Sequence, residues 1–300
     1  MKSSKKSYHA GYVAIVGRPN VGKSSLLNSF LRQKLSITSH KPQTTRHTLL
    51  GIDSDHNGQI VFVDTPGVQA DHSKPMFRVM NKVAKSGMEG VDVVLFVIEA
   101  NYFGDNDKFV LSRIHPSIPV ILVVNKIDKL NDRSKLLPFL QTVSDDRFSA
   151  VVPVSALKND GLDKLRQEIM RLLPEGDAIF PDDQITDKSE RFLAAEIIRE
   201  KIMRSMGQEV PYDVAVEIER YEATQNCTHI HGIIWVARKG QKGILIGKGG
   251  ERLKRIGASA RKEIETLIQA KVNLKLWVKL KQAWSDDIRI IQSLGYGNHE

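Results

Sequence analysis

Short apolar runs alternate with longer amphipathic stretches along the first part of the chain. Each run is five to eight residues long, which is the length of a buried strand. The runs are Tyr12–Val16, Leu49–Asp53, Gln59–Val63, Val91–Ile98, Val120–Val124 and Ala150–Val154. Between the first two runs, Ser24–Leu35 carries its apolar residues at helical spacing. This alternation predicts an α/β domain with a mostly parallel sheet and helices on both faces.

The pattern changes towards the C-terminal third. The stretch Pro174–Glu190 contains two prolines, a glycine and several acidic side chains, and we interpret residues 176–190 as a linker. Arg191–Met206 then has helical spacing, and three strand-like segments with alternating apolar positions follow, at Tyr212–Tyr221, Thr228–Arg238 and Val272–Leu280. The predicted organisation is a first domain at 8–175, the linker at 176–190, an α+β domain at 191–285 and a tail at 286–300.

Composition narrows the class of protein. The chain has 300 residues, of which 41% are hydrophobic, and no apolar run approaches the roughly 18 residues of a membrane span. Its one cysteine, Cys227, excludes an internal disulfide and fits a reducing compartment. We therefore predict a cytoplasmic protein with two packed cores.

The net charge of +9 is unevenly distributed. Residues 191–281 carry 18 Lys and Arg against 10 Asp and Glu, whereas residues 1–190 carry 25 against 22. The positive excess in the second domain indicates a polyanionic partner there. A solvated basic face is the alternative explanation of the charge alone.

The first of four short motifs that follow predicted strands runs from Gly17 to Ser24. It fits the phosphate-loop pattern G-x-x-x-x-G-K-[ST], between a strand and a helix. We expect its backbone N–H groups to surround the phosphates of a nucleotide, Lys23 to reach the β- and γ-phosphates and Ser24 to ligate Mg²⁺. The residues assigned to this contact are Asn20, Val21, Gly22, Lys23, Ser24 and Ser25.

The second motif, D-T-P-G at residues 64–67, follows the third apolar run. Asp64 is predicted to support the magnesium ion, and Gly67 to offer an N–H group to the γ-phosphate. In the polar segment before the second strand, a threonine could ligate Mg²⁺ when that segment closes over the nucleotide. Thr45 is favoured over Thr44. The predicted catalytic residues are Lys23, Thr45 and Gly67.

The third and fourth motifs, at residues 125–128 and 155–157, follow the last two runs. A carboxylate such as Asp128 can accept hydrogen bonds from guanine N1–H and the 2-amino group, a donor pair that adenine lacks. The motif therefore favours GTP over ATP. Lys126 is expected to pack along the base, and the next loop to support it. The residues assigned to the base site are Asn125, Lys126, Asp128, Ser155, Ala156 and Leu157.

Val68 stands where Ras-like proteins carry a glutamine that orients the attacking water. Because valine cannot hydrogen-bond water, we predict slow intrinsic hydrolysis. A partner, or the backbone together with a second cation, would then hold the water. Asn20 is a candidate ligand for a potassium ion, and a role in loop geometry is the alternative.

A glycine-rich loop, Gly247–Gly250, joins two helical segments of the second domain. A G-x-x-G loop lets a nucleic-acid backbone approach closely, and KH modules clamp about four nucleotides in this way. A basic amphipathic helix and a strand with a mostly basic outer face follow. We predict RNA binding, against the alternative of a glycine-rich helix connection. The expected RNA contacts are Ile246, Gly247, Lys248, Gly249, Gly250, Arg252, Lys254 and Arg255.

Two other groups of residues have weaker functional signals. His229 and His231 lie on one face of a predicted strand, but they have no partners at metal-ligand spacing, so we expect a packed or exposed pair. Trp277 and Trp284 are candidates for stacking on bases, and we expect packing for both.

Taken together, these motifs resemble the Era family of bacterial GTPases, which carry a C-terminal type II KH domain. The resemblance rests on G-R-P-N-V-G-K-S at 17–24, P-Q-T-T-R-H at 42–47, D-T-P-G at 64–67, N-K-I-D at 125–128, V-S-A-L at 154–157, I-G-K-G-G at 246–250 and S-L-G-Y at 293–296. It implies a Ras-like sheet of six strands, one of them antiparallel, followed by an α+β KH domain.

The resemblance also implies a function. The protein would bind GTP or GDP with Mg²⁺, hydrolyse GTP, bind the 3′ end of small-subunit ribosomal RNA in its GTP form, and assist assembly of the small ribosomal subunit. Relatives associate with the inner face of the cell membrane, and we expect a monomer.

A different hypothesis is an RNA-binding assembly factor whose nucleotide site mainly stabilises the fold. Lys23, Ser24 and Thr45 favour turnover, whereas Val68 argues against it. An ATPase conflicts with Asn125 and Asp128.

Overall fold

A computed structural model describes residues 7–39, 44–67, 75–206, 214–282, 284 and 288–293. The chain divides into two compact units. The first comprises residues 1–36, 45–72 and 80–187, and the second comprises residues 37–44, 73–79 and 188–300. Most of the second unit is thus C-terminal, but it also includes two short segments from the N-terminal half.

The elements up to residue 172 alternate between strands and helices, as the apolar pattern predicts. The strands are β1 (His9–Val16), β2 (Leu49–Asp55), β3 (Gly58–Asp64), β4 (Val93–Glu99), β5 (Val120–Asn125) and β6 (Ala150–Pro153). The helices are α1 (Lys23–Leu31), α2 (Pro75–Ser86), α3 (Asp105–Leu111), α4 (Leu136–Val143) and α5 (Leu162–Leu172). The predicted helix after β1 ends earlier than expected, because Arg32 adopts a left-handed conformation with φ of 50°.

The six strands form one sheet in the order β2-β3-β1-β4-β5-β6. Only β2 is antiparallel to its neighbour, β3, and the other pairs are parallel. This confirms the predicted six-stranded, mostly parallel sheet. Because parallel strands end at the same edge, the loops after β1, β3, β5 and β6 come together there. These are the four loops that carry the nucleotide motifs.

Burial of the central strands explains their continuous apolar sequences. Every residue of β5 is buried, and so are six of the seven residues of β4. Strands covered by helices on both faces need apolar side chains at every position instead of alternate ones. On one face of the sheet, Phe96 of β4 stacks on Phe148 with ring centroids 6.3 Å apart, in a cluster with residues of α3 and α4.

The segment after α5, predicted to be a linker, lies along strand β2. The N–H of Ile52 donates to the carbonyl of Ile185 at 3.0 Å, and Thr186 forms a bridge with Gly51. Gln59 is fully buried and binds the backbone at Ile179 and Phe180. This strap, residues 174–187, belongs to the first unit and covers the sheet edge that β2 would otherwise expose.

The second unit has the element order α-β-β-α-α-β, followed by a short helix. The elements are α6 (Glu190–Ser205), β7 (Val214–Ala223), β8 (Thr228–Val236), α7 (Lys239–Ile246), α8 (Glu251–Ile268), β9 (Val272–Leu280) and α9 (Ile288–Ser293). Ser189 caps the N-terminus of α6, and its hydroxyl accepts the N–H of Phe192 at 3.3 Å. The side-chain carbonyl of Gln241 accepts the N–H groups of Ala237 and Arg238 at the start of α7.

The three strands of this unit lie in the order β7-β8-β9, with β7 antiparallel and β9 parallel to β8. One face of the sheet packs against α6 and α8 and forms the core. Alternate residues of β9, such as Val272 and Val278, are buried in that core, whereas Lys275 and Lys279 are exposed. The predicted half-buried strand with a basic outer face is thereby confirmed.

Helix α6 also holds the short segment that precedes Thr45. Glu200 is fully buried and accepts the backbone N–H of Thr38 at 3.1 Å. Arg204 donates to the Thr38 carbonyl at 3.2 Å, and Arg199 donates to the Thr44 carbonyl at 2.5 Å. Thr38 and Thr44 are therefore anchored to this helix by charge-assisted hydrogen bonds, which are stronger than neutral ones.

Candidate functional site

The phosphate-loop motif connects β1 to α1 in the conformation that glycine allows. Gly22 has φ of 103°, and a Cβ atom placed there would lie 2.3 Å from Nδ2 of Asn125. No L side chain fits at this distance. The loop is therefore packed closely against the end of β5, and its N–H groups lie at the start of a helix, where anions bind.

Lys23 is the first residue of α1, and its side chain is only 7% exposed. Its Nζ donates to the carbonyls of Gly17 at 3.0 Å and Arg18 at 3.1 Å. Burial lowers the pKa of Lys23 to about 8, because desolvation opposes the charged form; the nearby Asp64 acts in the other direction. A polyanionic ligand beside this ammonium group would favour its charged form.

Three side-chain oxygens meet beside Lys23. The Ser24 hydroxyl donates to Oδ2 of Asp64 at 3.0 Å and lies 2.8 Å from the hydroxyl of Thr45. Asp64 is fully buried, and burial raises its pKa. Its Oδ1 has no hydrogen-bond partner among the residues that the structure describes. A set of hydroxyl and carboxylate oxygens with an unsatisfied buried carboxylate atom fits a hard cation such as Mg²⁺.

The two threonines considered from the sequence have different surroundings. The hydroxyl of Thr45 is beside Ser24, whereas the Thr44 side chain is buried and its carbonyl is bonded to Arg199. Gly67 is adjacent to Lys23, since a Cβ placed there would lie 3.1 Å from its Nζ. Val68, to which we attribute slow hydrolysis, lies outside the described residues.

The loops after β5 and β6 are tied to the phosphate loop by Asn125. Its Nδ2 donates to the carbonyl of Val21 at 2.8 Å, and its Oδ1 accepts the N–H of Ala156 at 3.1 Å. Asn125 is only 1% exposed. Each end of this carboxamide is bonded to a protein atom, so the residue holds three loops together.

Asp128 is the carboxylate of the base site. It accepts a hydrogen bond from the Ser155 hydroxyl, which orients one of its oxygens and leaves the other for a ligand. Lys126 has a left-handed backbone, and its Nζ donates to the carbonyl of Asn20 at 2.6 Å and to Glu99 at 2.9 Å. These two contacts fix the end of the Lys126 side chain beside the phosphate loop.

The remaining predicted residues of the nucleotide site occupy the rims of these loops. Asn20 is exposed with φ of 66°, Ser25 is half-buried in α1 and Leu157 is 76% exposed. Nothing in their contacts opposes the assignment.

Sequence reasoning missed several residues that support the site. The Ser36 hydroxyl donates to Asp64 at 2.7 Å, and the Ser29 hydroxyl donates to the Ala156 carbonyl at 2.6 Å. Arg18 pairs with Asp107 at 3.3 Å and lies over the ring of Tyr102, which fixes the phosphate loop from outside. Ser29 and Ser36 lie outside the motifs, and Arg18 occupies a variable position of the phosphate-loop pattern. The partners of these residues are 28 to 127 positions away in the sequence.

The second predicted site, the G-x-x-G loop, joins α7 to α8 through a short 3₁₀ turn at Lys248–Gly250. Gly249 and Gly250 have φ of 59° and 81°, and a Cβ atom at either position would meet no atom within 4 Å. The loop therefore presents bare backbone to solvent.

Basic side chains surround this bare backbone. Lys248, Lys254 and Arg255 are exposed, whereas Arg252 is half-buried and donates to the Ile244 carbonyl at 2.7 Å. The predicted contacts thus form one basic, open surface, except that Arg252 also closes the end of α7. Ile246 is half-buried beside the loop.

Two models of known families match this chain. A model of the 50S ribosome-binding GTPase family matches residues 12–126, and a model of the KH domain matches residues 209–285. The fold and the two sites therefore define a P-loop GTPase domain joined to a KH domain.

Full-length relatives narrow this class. GTPase Era of Ectopseudomonas mendocina (strain ymp) is 53% identical over 288 residues, which are 95% of this chain and 96% of that protein. GTPase Era of Nitrosomonas eutropha is 51% identical over 98% of this chain and 99% of its own length. The chain belongs to the Era family of GTPases.

Two related crystal structures cover both units. A variant of Aquifex aeolicus Era bound to GDP·AlF4⁻ is 41% identical, and Era in complex with MgGDPNP and nucleotides 1506–1542 of 16S ribosomal RNA is 42% identical. Each gives a TM-score of 0.93 over 97% of this chain and all of the related chain. The predicted family, the predicted fold and the prediction of a GTPase are confirmed.

Proposed function

We propose that this protein is a GTP-hydrolysing switch that binds the 3′ end of small-subunit ribosomal RNA and assists assembly of the small ribosomal subunit. The cluster of Ser24, Thr45 and Asp64 beside the buried Lys23 carries the proposal. It occurs in a chain that also has an open, basic G-x-x-G loop. A related Era binds MgGDPNP and an RNA of this kind.

The phosphate chemistry follows from the charges at the site. Lys23 and the N–H groups of the phosphate loop stabilise negative charge on the β- and γ-phosphates, and the Gly67 N–H adds a donor at the γ-phosphate. Ser24, Thr45 and Asp64 would hold Mg²⁺, which neutralises charge on the phosphoryl oxygens. Positioning and electrostatics thus account for most of the catalysis.

Base selection depends on Asp128. Its carboxylate accepts from guanine N1–H and the 2-amino group, while Ser155 keeps it in place. Asn125 contributes indirectly, by holding the base loops against Val21. Lys126 packs along the base, with Ala156 beside it.

The attacking water has no side chain to orient it at position 68, so we infer slow intrinsic hydrolysis. A potassium ion at Asn20, together with the backbone, would hold the water instead, and this residue is exposed at the rim of the phosphate loop. The RNA, or another partner, is the alternative source of acceleration.

The switch itself depends on the segment that precedes Thr45. If Thr45 moves to ligate Mg²⁺ on GTP, the bonds that hold Thr38 and Thr44 to α6 must adjust. GTP can shift RNA affinity only as far as it prefers one arrangement of this segment. Glu200, Arg199 and Arg204 bond to Thr38 and Thr44, which lie in the segment that precedes Thr45 in the sequence.

The first test measures the rate of GTP hydrolysis by the whole protein in potassium and in sodium buffer. Each rate is measured with and without an RNA that comprises nucleotides 1506–1542 of 16S ribosomal RNA. We expect slow turnover that the RNA accelerates and that potassium favours. GTP binding without turnover under any of these conditions would contradict the proposal.

A second test concerns the base. Asp128→Asn should shift the preference from GTP towards xanthosine triphosphate, because the 2-oxo group of xanthine accepts where the 2-amino group of guanine donates. The ratio of the two dissociation constants measures this shift, and an unchanged preference for GTP would refute the base contact.

The alternative function, an assembly factor with a structural nucleotide site, makes a different prediction. Lys23→Ala would then abolish nucleotide binding and leave RNA binding at its full strength. In the switch, the same variant loses the increase in RNA affinity that GTP produces. RNA affinity measured with and without a GTP analogue separates the two functions.

We further propose that the protein acts in the cytoplasm as a monomer and contacts the inner face of the membrane reversibly through its basic C-terminal third. Among the described residues, no helix is long and apolar enough to cross a membrane. Sedimentation of the protein alone measures its mass and tests whether it is a monomer. Sedimentation together with anionic vesicles tests whether it binds the membrane surface.

A further inference from the structure

The outer face of the sheet in the second unit carries an arrangement that neither predicted site uses. Odd-numbered residues of β9 and its extension lie beside the central strand β8, with His231 opposite Lys275, Ile233 opposite Trp277 and Trp235 opposite Lys279. We call the resulting surface the aromatic platform. It comprises His231, Trp235, Lys275, Trp277, Lys279 and Lys281.

Trp277 is not a core residue. It is 42% exposed, whereas Trp284, for which we made the same packing prediction, is fully buried. Packing is therefore confirmed for Trp284 and wrong for Trp277. The core of this unit lies on the opposite face of the sheet, where β9 contributes Val272 and Val278. On the outer face Trp277 lies opposite Ile233, which is buried, and a large part of the Trp277 ring remains open to solvent.

The rings of the platform are held in place by neighbouring side chains. The imidazole of His231 lies at 76° to the Trp277 ring, with the ring centroids 5.2 Å apart. The indole N–H of Trp235 donates to Glu217 at 2.8 Å. Rings fixed in this way lose little conformational freedom when a ligand stacks on them.

Positive charge accompanies the rings. The ammonium groups of Lys279 and Lys281 lie 5.9 Å and 5.4 Å from the centroid of the Trp235 ring, and Lys275 is exposed beside Trp277. The acidic residues of this face are on β7, where Glu217 bonds Trp235 and Glu222 pairs with Arg220. The net positive part of the face is therefore the β8–β9 side.

We propose that the aromatic platform binds an unpaired segment of RNA, outside the segment held by the G-x-x-G loop. The exposed ring of Trp277, the half-buried rings of His231 and Trp235 and the lysines between them match a chain in which flat bases alternate with phosphates. Bases in a duplex are already stacked on each other, so the segment must be single-stranded. This inference rests on the proposed RNA-binding function and extends it to a second surface.

The two RNA surfaces lie on opposite sides of the sheet. Helix α8 starts at the G-x-x-G loop and packs on the inner face through Ile256, Ala260 and Ile264, whereas the platform is on the outer face. A KH loop clamps only about four nucleotides. An RNA that reaches both surfaces must therefore be longer, and the contribution of the platform should appear only with long RNA.

The test compares two RNAs on the whole protein with a bound GTP analogue. The long RNA comprises nucleotides 1506–1542, and the short one is the smallest fragment of it whose binding still weakens on Gly249→Asn substitution. Trp277→Ala should lower the affinity for the long RNA by about 5- to 150-fold, the range for loss of one stacked base. The affinity for the short RNA should not change.

Two further variants control the comparison. Trp277→Phe keeps a stacking ring and should restore most of the affinity for long RNA. Lys164→Ala removes one exposed positive charge of the first unit and should leave the affinities for both RNAs unchanged, whereas Lys279→Ala should weaken only the long RNA.

Three outcomes would overturn the inference. The first is that Trp277→Ala binds the long RNA as tightly as the unmodified protein does. The second is an equal loss of affinity for both RNAs, which would indicate a structural role of Trp277. The third is that duplex RNA competes for binding as strongly as single-stranded RNA. Failure of the proposed function looks different, because the unmodified protein would then bind neither RNA.

Discussion

Two glycine loops, each at the start of a helix, make opposite use of the absent side chain. In the phosphate loop, a Cβ atom at Gly22 would collide with Asn125 at 2.3 Å, so the protein itself needs the glycine. In the G-x-x-G loop, a Cβ atom at Gly249 would meet nothing within 4 Å. That glycine keeps space open for a ligand. The phosphate loop is therefore packed against the rest of its unit, whereas the G-x-x-G loop is an open surface on which a ligand can bind.

The polar side chains around the loops differ in the same way. Lys23 and Asp64 are buried. Burial lowers the pKa of Lys23 and raises the pKa of Asp64, so it favours the neutral form of each side chain. Lys248 and Lys254 are exposed, where a charge costs little and adds little by itself. We therefore expect single substitutions in the first loop to be severe and those in the second to be graded.

The largest effect is expected at Gly22. Gly22→Ala places a methyl group against Asn125 at a residue with φ of 103°, so the phosphate loop must move away from β5. GTP affinity should fall at least about 100-fold, and the unfolding free energy by about 1–3 kcal/mol. Calorimetric titration and chemical denaturation measure the two quantities. Near-normal GTP binding would show that the loop is not closely packed.

Lys23→Met should separate binding from stability. The affinity for GTP should fall at least about 100-fold, because the charge facing the phosphates is lost. The unfolding free energy should change by no more than about 1 kcal/mol, since removing a buried charge offsets the lost bonds to the carbonyls of Gly17 and Arg18. Unfolding of the variant at room temperature would contradict this balance.

The sequence predicts best those parts of the site that directly follow a strand. The phosphate loop, Asp64 and Asp128 follow strands whose apolar runs are visible, so topology brings them to one edge. The contacts of Ser36 with Asp64 and of Glu200 with Thr38 could not be predicted, because they join irregular segments to distant residues. No periodicity marks such segments.

Two features of the fold have no signal in composition. The predicted linker, residues 176–190, overlaps the strap, whose backbone pairs with β2, and composition does not indicate backbone pairing. Trp277 was expected to pack because large aromatic residues usually do. Its alternation with buried residues of β9 in fact placed it on the outer face.

Gly249→Asn should have an intermediate effect confined to RNA. Asparagine tolerates the left-handed conformation at φ of 59°, so the unfolding free energy should fall by less than about 1 kcal/mol. The new side chain occupies the space for the RNA backbone, and we expect RNA affinity to fall about 10-fold. GTP affinity should not change. A loss of GTP binding would break the separation between the two loops.

The smallest effect is expected at Ser36. Ser36→Ala removes one of two hydroxyl groups that donate to Asp64 and should cost about 1 kcal/mol of unfolding free energy. The matched variant Ser117→Ala removes a hydroxyl from an exposed contact with His115 and should cost less than about 0.5 kcal/mol. Equal effects would mean that the oxygen cluster is not a tightly packed site.

The central claim is that the nucleotide bound at the phosphate loop controls the affinity of the G-x-x-G loop for RNA. RNA affinity of the whole protein, measured with a GTP analogue, with GDP and without nucleotide, tests this directly. We predict the tightest binding with the GTP analogue. Identical affinity in all three conditions would contradict the account, since GTP would then have no preference for the form that binds RNA.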